Sequence, residues 1–204
     1  VKFMSINNAK MQKSHDISYV NEVSRKMIHL SSLSIPIVYS YIGRQSSIFV
    51  LLTLTLVSII VDLGSRLSPL SKKIYLSIFG SLLREHEKND AKILLNGASW
   101  VLIAALICVV VFPKPIAVTA FSILIISDSA AALFGRKFGK TPFLDKSLQG
   151  ALAFLISAVV VSILVGIVLN QPIGFFGASI FGSLVGAIVE SASIRLKMDD
   201  NLSI

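Results

Sequence analysis

The chain has 204 residues, 54% of them hydrophobic, with a formal net charge of +8 and a mean hydropathy of +0.79. Apolar content of that order excludes an ordinary soluble domain, and a single cysteine, Cys108, excludes a disulfide framework. The basic balance is compatible with nucleic-acid binding, but basic residues in a membrane protein also set orientation, so their positions decide between the two.

Residues 1–20 read as a flexible polar tail, and residues 21–204 as a single membrane-embedded domain. Lys2, Lys10, Lys13, Arg25 and Lys26 precede any apolar core, so no cleavable secretion signal is expected and the first helix is retained. Apolar stretches then predict about six spanning helices, at roughly 27–42, 46–62, 95–112, 115–134, 148–169 and 172–193. The long connection 63–94 carries Leu67, Leu70, Ile74 and Ile78 with Lys72 and Lys73 between them, which predicts an amphipathic helix at the membrane surface. Pro113-Lys114-Pro115 and Asn170-Gln171-Pro172 read as tight turns, since proline ends a helix there. Of the 19 lysines and arginines, all but Arg44 and Lys114 fall in segments that alternate to one side of such a bundle. That bias places both termini in the cytosol and largely accounts for the positive charge without nucleic acid.

Charges at the ends of apolar helices carry the chemistry, because each costs roughly +2.5 to +3.5 kcal/mol at a helix centre and calls for a reason. Asp62, Asp128 and Glu190 all fall near the cytosolic ends of their predicted spans, an arrangement that describes a pocket opening on one side. Asp128 lies between Ser127 and Ser129 and is followed by Ala130, Ala131 and Ala132, small residues that allow another helix or a ligand close to the carboxylate. A packing role, with the acid paired to a lysine or arginine, is the plainer alternative. The segment from Gly135 through Gly139 to Gly150 adds Arg136, Lys137, Lys140, Lys146 and Ser147 beside the membrane, a composition suited to a polyanion. It is not a Walker A loop, being one residue short between its glycines, and it serves equally as a basic cytosolic loop. Glu22, Arg25, Lys26 and His29 share one helical face. Glu190, Asp199, Asp200 and Asn201 offer hard oxygen ligands, or in the last three a solvated tail. Arg84-Glu85 and Asn96-Gly97 flank the third span at the same end.

The ordered set Glu22-x-x-Arg25-Lys26-x-x-His29, Asp128-x-x-Ala131-x-x-x-Gly135-Arg136-x-x-Gly139-Lys140, Lys146-Ser147-x-x-Gly150, Glu190-Ser191-x-Ser193 and Asp200-Asn201-Leu202 resembles the polyprenol kinase family. That family includes dolichol kinases, phytol and farnesol kinases and CTP-dependent diacylglycerol kinases. The middle block also resembles phosphatidate cytidylyltransferases, whose later His-Gly-Gly signature this chain does not have. The resemblance implies transfer of a phosphoryl group from CTP to the hydroxyl of a membrane lipid such as a polyprenol, phytol or diacylglycerol. It implies Asp128 and Asp200 as Mg²⁺ ligands, with Glu190 as a further ligand or as the base. Arg136, Lys140 and Lys146 would hold phosphates, with Gly135, Gly139, Ser147, Gly150 and Asn201 around the nucleotide. Arg25, Lys26 and His29 would orient the nucleotide or polarise the leaving group. Family members often continue beyond the Asp-Asn-Leu element, so a further terminal helix is expected. Two alternatives stand beside the kinase: a cytidylyltransferase that makes a CDP-lipid, and a small transporter or membrane scaffold without chemistry.

Overall fold

A computed structural model of the chain describes residues 19–65, 68–79, 95–196 and 200–204. Residues 1–18, Arg84, Glu85 and Asp199 lie outside them. The described residues are almost entirely helical: α1 (Tyr19–Ser31), α2 (Ser34–Ile42), α3 (Arg44–Gly64), α4 (Pro69–Phe79), α5 (Gly97–Val111), α6 (Lys114–Phe138), α7 (Leu148–Val168), α8 (Ile173–Ser191), α9 (Ser193–Leu196) and α10 (Asp200–Ser203). A two-stranded antiparallel hairpin, β1 (Pro142–Phe143) and β2 (Lys146–Ser147), joins α6 to α7. Among the described residues, four helices are long and apolar enough to cross a membrane: α3, α6, α7 and α8.

The six-span reading therefore changes in two places. The expected helix 27–42 is divided into α1 and α2. Pro36 has no N–H to give the Ser32 carbonyl and crowds it, and the chain tightens there, with Ser32, Leu33 and Ile35 each bonding three residues back at 2.9–3.0 Å. The third expected span becomes α5, 15 residues long and apolar but shorter than the four spanning helices. The proline turns fall as read: α5 ends before Pro113, and α8 begins just after Pro172, following Asn170 at φ 49°.

α6 is the centre of the bundle. Its small residues Ala131 and Gly135 lie against α7, and Phe154 of α7 is fully buried with Ala131 and Ala158 in that seam. Most other large apolar side chains, including Phe49, Ile60, Ile156, Ile167, Val168 and Phe181, face outward, as a lipid-embedded bundle requires. Arg44 and Lys114 mark the end of the bundle remote from Asp128. Each donates to a backbone carbonyl there, Arg44 to Val110 and Lys114 to Ser40 at 2.5 Å, filling acceptors at helix C-termini.

Candidate active site

The opposite end holds the charged cluster, built from α1, α6, the hairpin and α8. On α1, Glu22, Arg25, Lys26 and His29 share the face turned to α6, with Glu22 and Lys26 each only 2% exposed. Lys26 donates to the buried carboxylate of Asp128, and His29 Nε2 lies 3.7 Å from the same oxygen. Lys146 of β2 donates to Glu190 of α8 at 2.7 Å, and its charge also acts on Asp128. Glu22 accepts from Arg25 at 2.5 Å and lies 3.6 Å from Arg136 of α6. Burial alone would raise the Glu22 carboxyl, but the hydrogen bond and charge of Arg25, with the charges of Arg136 and Lys26, hold it below its usual range. Ser127, beside Asp128, is fully buried and its hydroxyl has no hydrogen-bond partner among the described residues.

Every acid in this cluster is thus countered by a base from another element or another helical turn. Buried charges require that, since an unpaired one in a low-dielectric interior costs several kcal/mol.

The structure relocates part of the predicted cradle. Gly135, Arg136 and Lys137 belong to the last turn of α6 rather than to a loop, because the helix runs on to Phe138. The glycines are used for close packing of protein against protein. A Cβ on Gly135 would meet Ser147 Oγ at 3.2 Å, one on Gly150 would meet the Ala131 carbonyl at 3.0 Å, and one on Gly139 would lie 2.2 Å from the Gly135 carbonyl. Ser147 caps α7 by accepting from the Gly150 amide at 3.2 Å. Lys140 is exposed, held through its backbone amide by Gln149 Oε1 at 3.0 Å, and no described contact brings its side chain into the cluster. Asp200 and Asn201 lie in α10, which packs on α5 and α8; the Asp200 side chain is outside the described residues.

Asp62 belongs elsewhere. Its carboxylate accepts from Tyr75 Oη at 3.1 Å, the Asn96 amide at 2.9 Å, Asn96 Nδ2 at 2.8 Å and Ser99 Oγ at 2.7 Å. Asn96 in turn caps α5 through Ser99 N. These neutral donors tie α3, α4 and α5 together.

Asp145 and Arg195, which matter to the cluster, and Gln149, which secures the segment after α6, escape sequence reasoning. Asp145, at the hairpin tip, donates its amide to the Ser191 carbonyl at 3.0 Å and accepts from Arg195 Nε at 2.8 Å, which pins Lys146 next to the end of α8. Gln149 secures Lys140 and Thr141. The signal available for Asp145 was its place in a short Pro142-to-Ser147 connection, where aspartate favours a turn; its partner, Arg195, could not be read from sequence.

Of the expected Mg²⁺ ligands, Asp200 has its side chain outside the described residues. Asp128 and Glu190 are each committed to a lysine, and among the described residues no three His, Cys, Asp or Glu side chains converge as a metal site.

Among known proteins, the chain is 32% identical over 193 residues to the uncharacterized protein RP860 of Rickettsia prowazekii, covering 94% of this chain and 92% of that protein. The chain belongs to the family of that protein. It is also 32% identical to CTP-dependent diacylglycerol kinase 1 of Schizosaccharomyces pombe over 148 residues, 67% of this chain and 66% of the kinase. The similarity to CTP-dependent diacylglycerol kinase 1 of Saccharomyces cerevisiae is 30% over 151 residues, 69% of this chain and 50% of that enzyme. These two likenesses support a lipid-kinase relationship for the family. No family model and no solved structure matches the chain.

Proposed function

We propose that the protein is a CTP-dependent lipid kinase, with diacylglycerol as the first acceptor to test and polyprenol or phytol as alternatives. The observation that carries this reading is the convergence of two buried carboxylates, Asp128 and Glu190, with Lys26, His29 and Lys146 at one end of a membrane bundle. Its support from relatives is the similarity to two CTP-dependent diacylglycerol kinases.

Phosphoryl transfer needs positioning and charge neutralisation more than covalent help from the protein. Lys26 and Lys146 are ammonium groups already present at the site, and the oxygens of a triphosphate compete with Asp128 and Glu190 for them. As they turn to the phosphates, Glu190 becomes free to accept the proton of the lipid hydroxyl. The hydroxyl oxygen then forms a bond to the γ-phosphorus, the bond from that phosphorus to the β-phosphate oxygen breaks, and CDP leaves. Asp128 keeps Lys26 and His29 aligned on the phosphates, with Arg25 and Arg136 completing the basic wall. Any divalent ion that accompanies CTP arrives with the substrate, and no step is assigned to a resident metal. The basic bias of the segments at this end supports a cytosolic site with cytosolic termini.

The test uses purified protein in detergent micelles with CTP labelled in either the γ or the α phosphate, against a panel of lipid alcohols. Lipid labelled from the γ position supports a kinase. Label from the α position would make the enzyme a cytidylyltransferase, and no transfer to any lipid would leave the transporter or scaffold reading.

A further inference from the structure

We infer that Glu22 is a positioning residue that holds Arg25 and Arg136 side by side as one anion-binding unit, an inference that rests on the kinase reading for its ligand, a triphosphate. The observation is geometric. Glu22 is buried, and its two oxygens face two guanidiniums from different helices, Oε1 to Arg25 at 2.5 Å and Oε2 to Arg136 at 3.6 Å. Two guanidiniums brought together repel one another unless a carboxylate lies between them. Each guanidinium presents its N–H donors in a rigid fork, so its aim decides which oxygens it can meet. The next residue in the cluster, Lys26, joins this unit to Asp128, so α1 presents its bases as one continuous row.

The sign of the effect separates positioning from plain charge. A carboxylate that only adds negative potential repels a polyanion, so its removal would tighten binding. One that aims two arginines weakens binding when it is removed or shortened, because misplaced donors no longer meet the phosphates. Glu22→Gln puts an amide NH₂ where one guanidinium needs an acceptor, and Glu22→Asp keeps the charge but loses the reach to span both.

The experiment measures steady-state kinetics with CTP and lipid, and calorimetric binding of inorganic tripolyphosphate, for the full chain in detergent. Both variants are expected to raise the KM for CTP and the dissociation constant for tripolyphosphate by about tenfold, with kcat and the lipid KM within about twofold. In an Arg136→Gln background, Glu22→Gln is expected to add little further loss, since both changes break one unit. Tighter binding by Glu22→Gln with wild-type behaviour of Glu22→Asp would overturn the inference in favour of a charge effect. Failure of both variants to accumulate folded would assign Glu22 to stability and overturn it as well. A wild-type protein that binds tripolyphosphate but transfers no phosphoryl group would sink the kinase reading alone, and the binding measurements would still decide the role of Glu22.

Discussion

Asp62 and Asp128 are both buried carboxylates on helices of this bundle, and they are held in opposite ways. Asp62 is surrounded by hydroxyl and amide donors from Tyr75, Asn96 and Ser99, each of them neutral and each at ordinary hydrogen-bond distance. Asp128 is held by charge, with the Lys26 ammonium on one oxygen, His29 near the same oxygen and Lys146 acting from the hairpin. A carboxylate whose lone pairs are filled by fixed neutral donors is a structural tie, since nothing mobile stands ready to exchange. A carboxylate held by lysines can trade partners when a polyanion arrives, because the ammonium is a point charge on a flexible stem. Under the kinase proposal, the difference teaches that a buried carboxylate serves a site where its counter-ions can move.

The sharpest way to break this comparison is Asp128→Asn. Under the kinase proposal, transfer falls by about 10²-fold or more while the protein stays folded in detergent, as phosphate assay and size-exclusion profile would check. Retained activity would remove Asp128 from the site. Gly139→Ala comes next, because its Cβ would lie 2.2 Å from the Gly135 carbonyl and 2.8 Å from Ser147 Oγ, so the turn must open. Turnover is expected to drop about tenfold together with the melting temperature, as small displacements of positioned groups carry costs of that order. Asp62→Asn is expected to lower stability by about 1–3 kcal/mol, because an amide NH₂ would face donors, while activity measured well below the melting point stays within about threefold. A folded Asp62→Asn protein without activity would erase the distinction between the two carboxylates.

Acid sensitivity sharpens the same comparison from the charged side. The Glu22 carboxyl is held low in the fold, so its contribution to stability is complete above its unfolded value, about 4.3, and is lost as pH falls through the lower folded value. Wild-type melting is therefore expected to fall more steeply on acidification than that of Glu22→Gln, the two curves converging at the acid end. Parallel curves would show that Glu22 is not held low. The smallest effect belongs to Gly174→Ala on α8, where a Cβ meets nothing within 4 Å and stability is expected to change by no more than about 0.5 kcal/mol.

Local pattern was enough to read α3, α6, α7 and α8 and the turns that separate them, because apolar length and proline act over a few residues. It was also enough to put Glu22, Arg25, Lys26 and His29 on one face, a matter of helical spacing alone. Pairings across the chain were not legible. Lys26 meets Asp128 over 102 residues and Lys146 meets Glu190 over 44, and nothing in either neighbourhood encodes the partner. Pro36 signals the division of the first span, but the continuous hydropathy of 27–42 masks the lost donor. The glycines permit close approach of either phosphate or protein; which body approaches depends on how α7 folds back, and here it is Ser147 and the α7 backbone. Asp62 reads from sequence like Asp128 and Glu190, because the neutral donors that distinguish it come from Tyr75, Asn96 and Ser99, distant in the chain.

The seam where Gly135, Gly150 and Ser147 touch leaves that side of the charged cluster tightly packed, since one added methyl group would push main chain or a capping hydroxyl by a few tenths of an ångström. Under the kinase proposal, adjustment to ligands of different size therefore falls to the long side chains of Arg25 and Lys26 on α1 rather than to this seam.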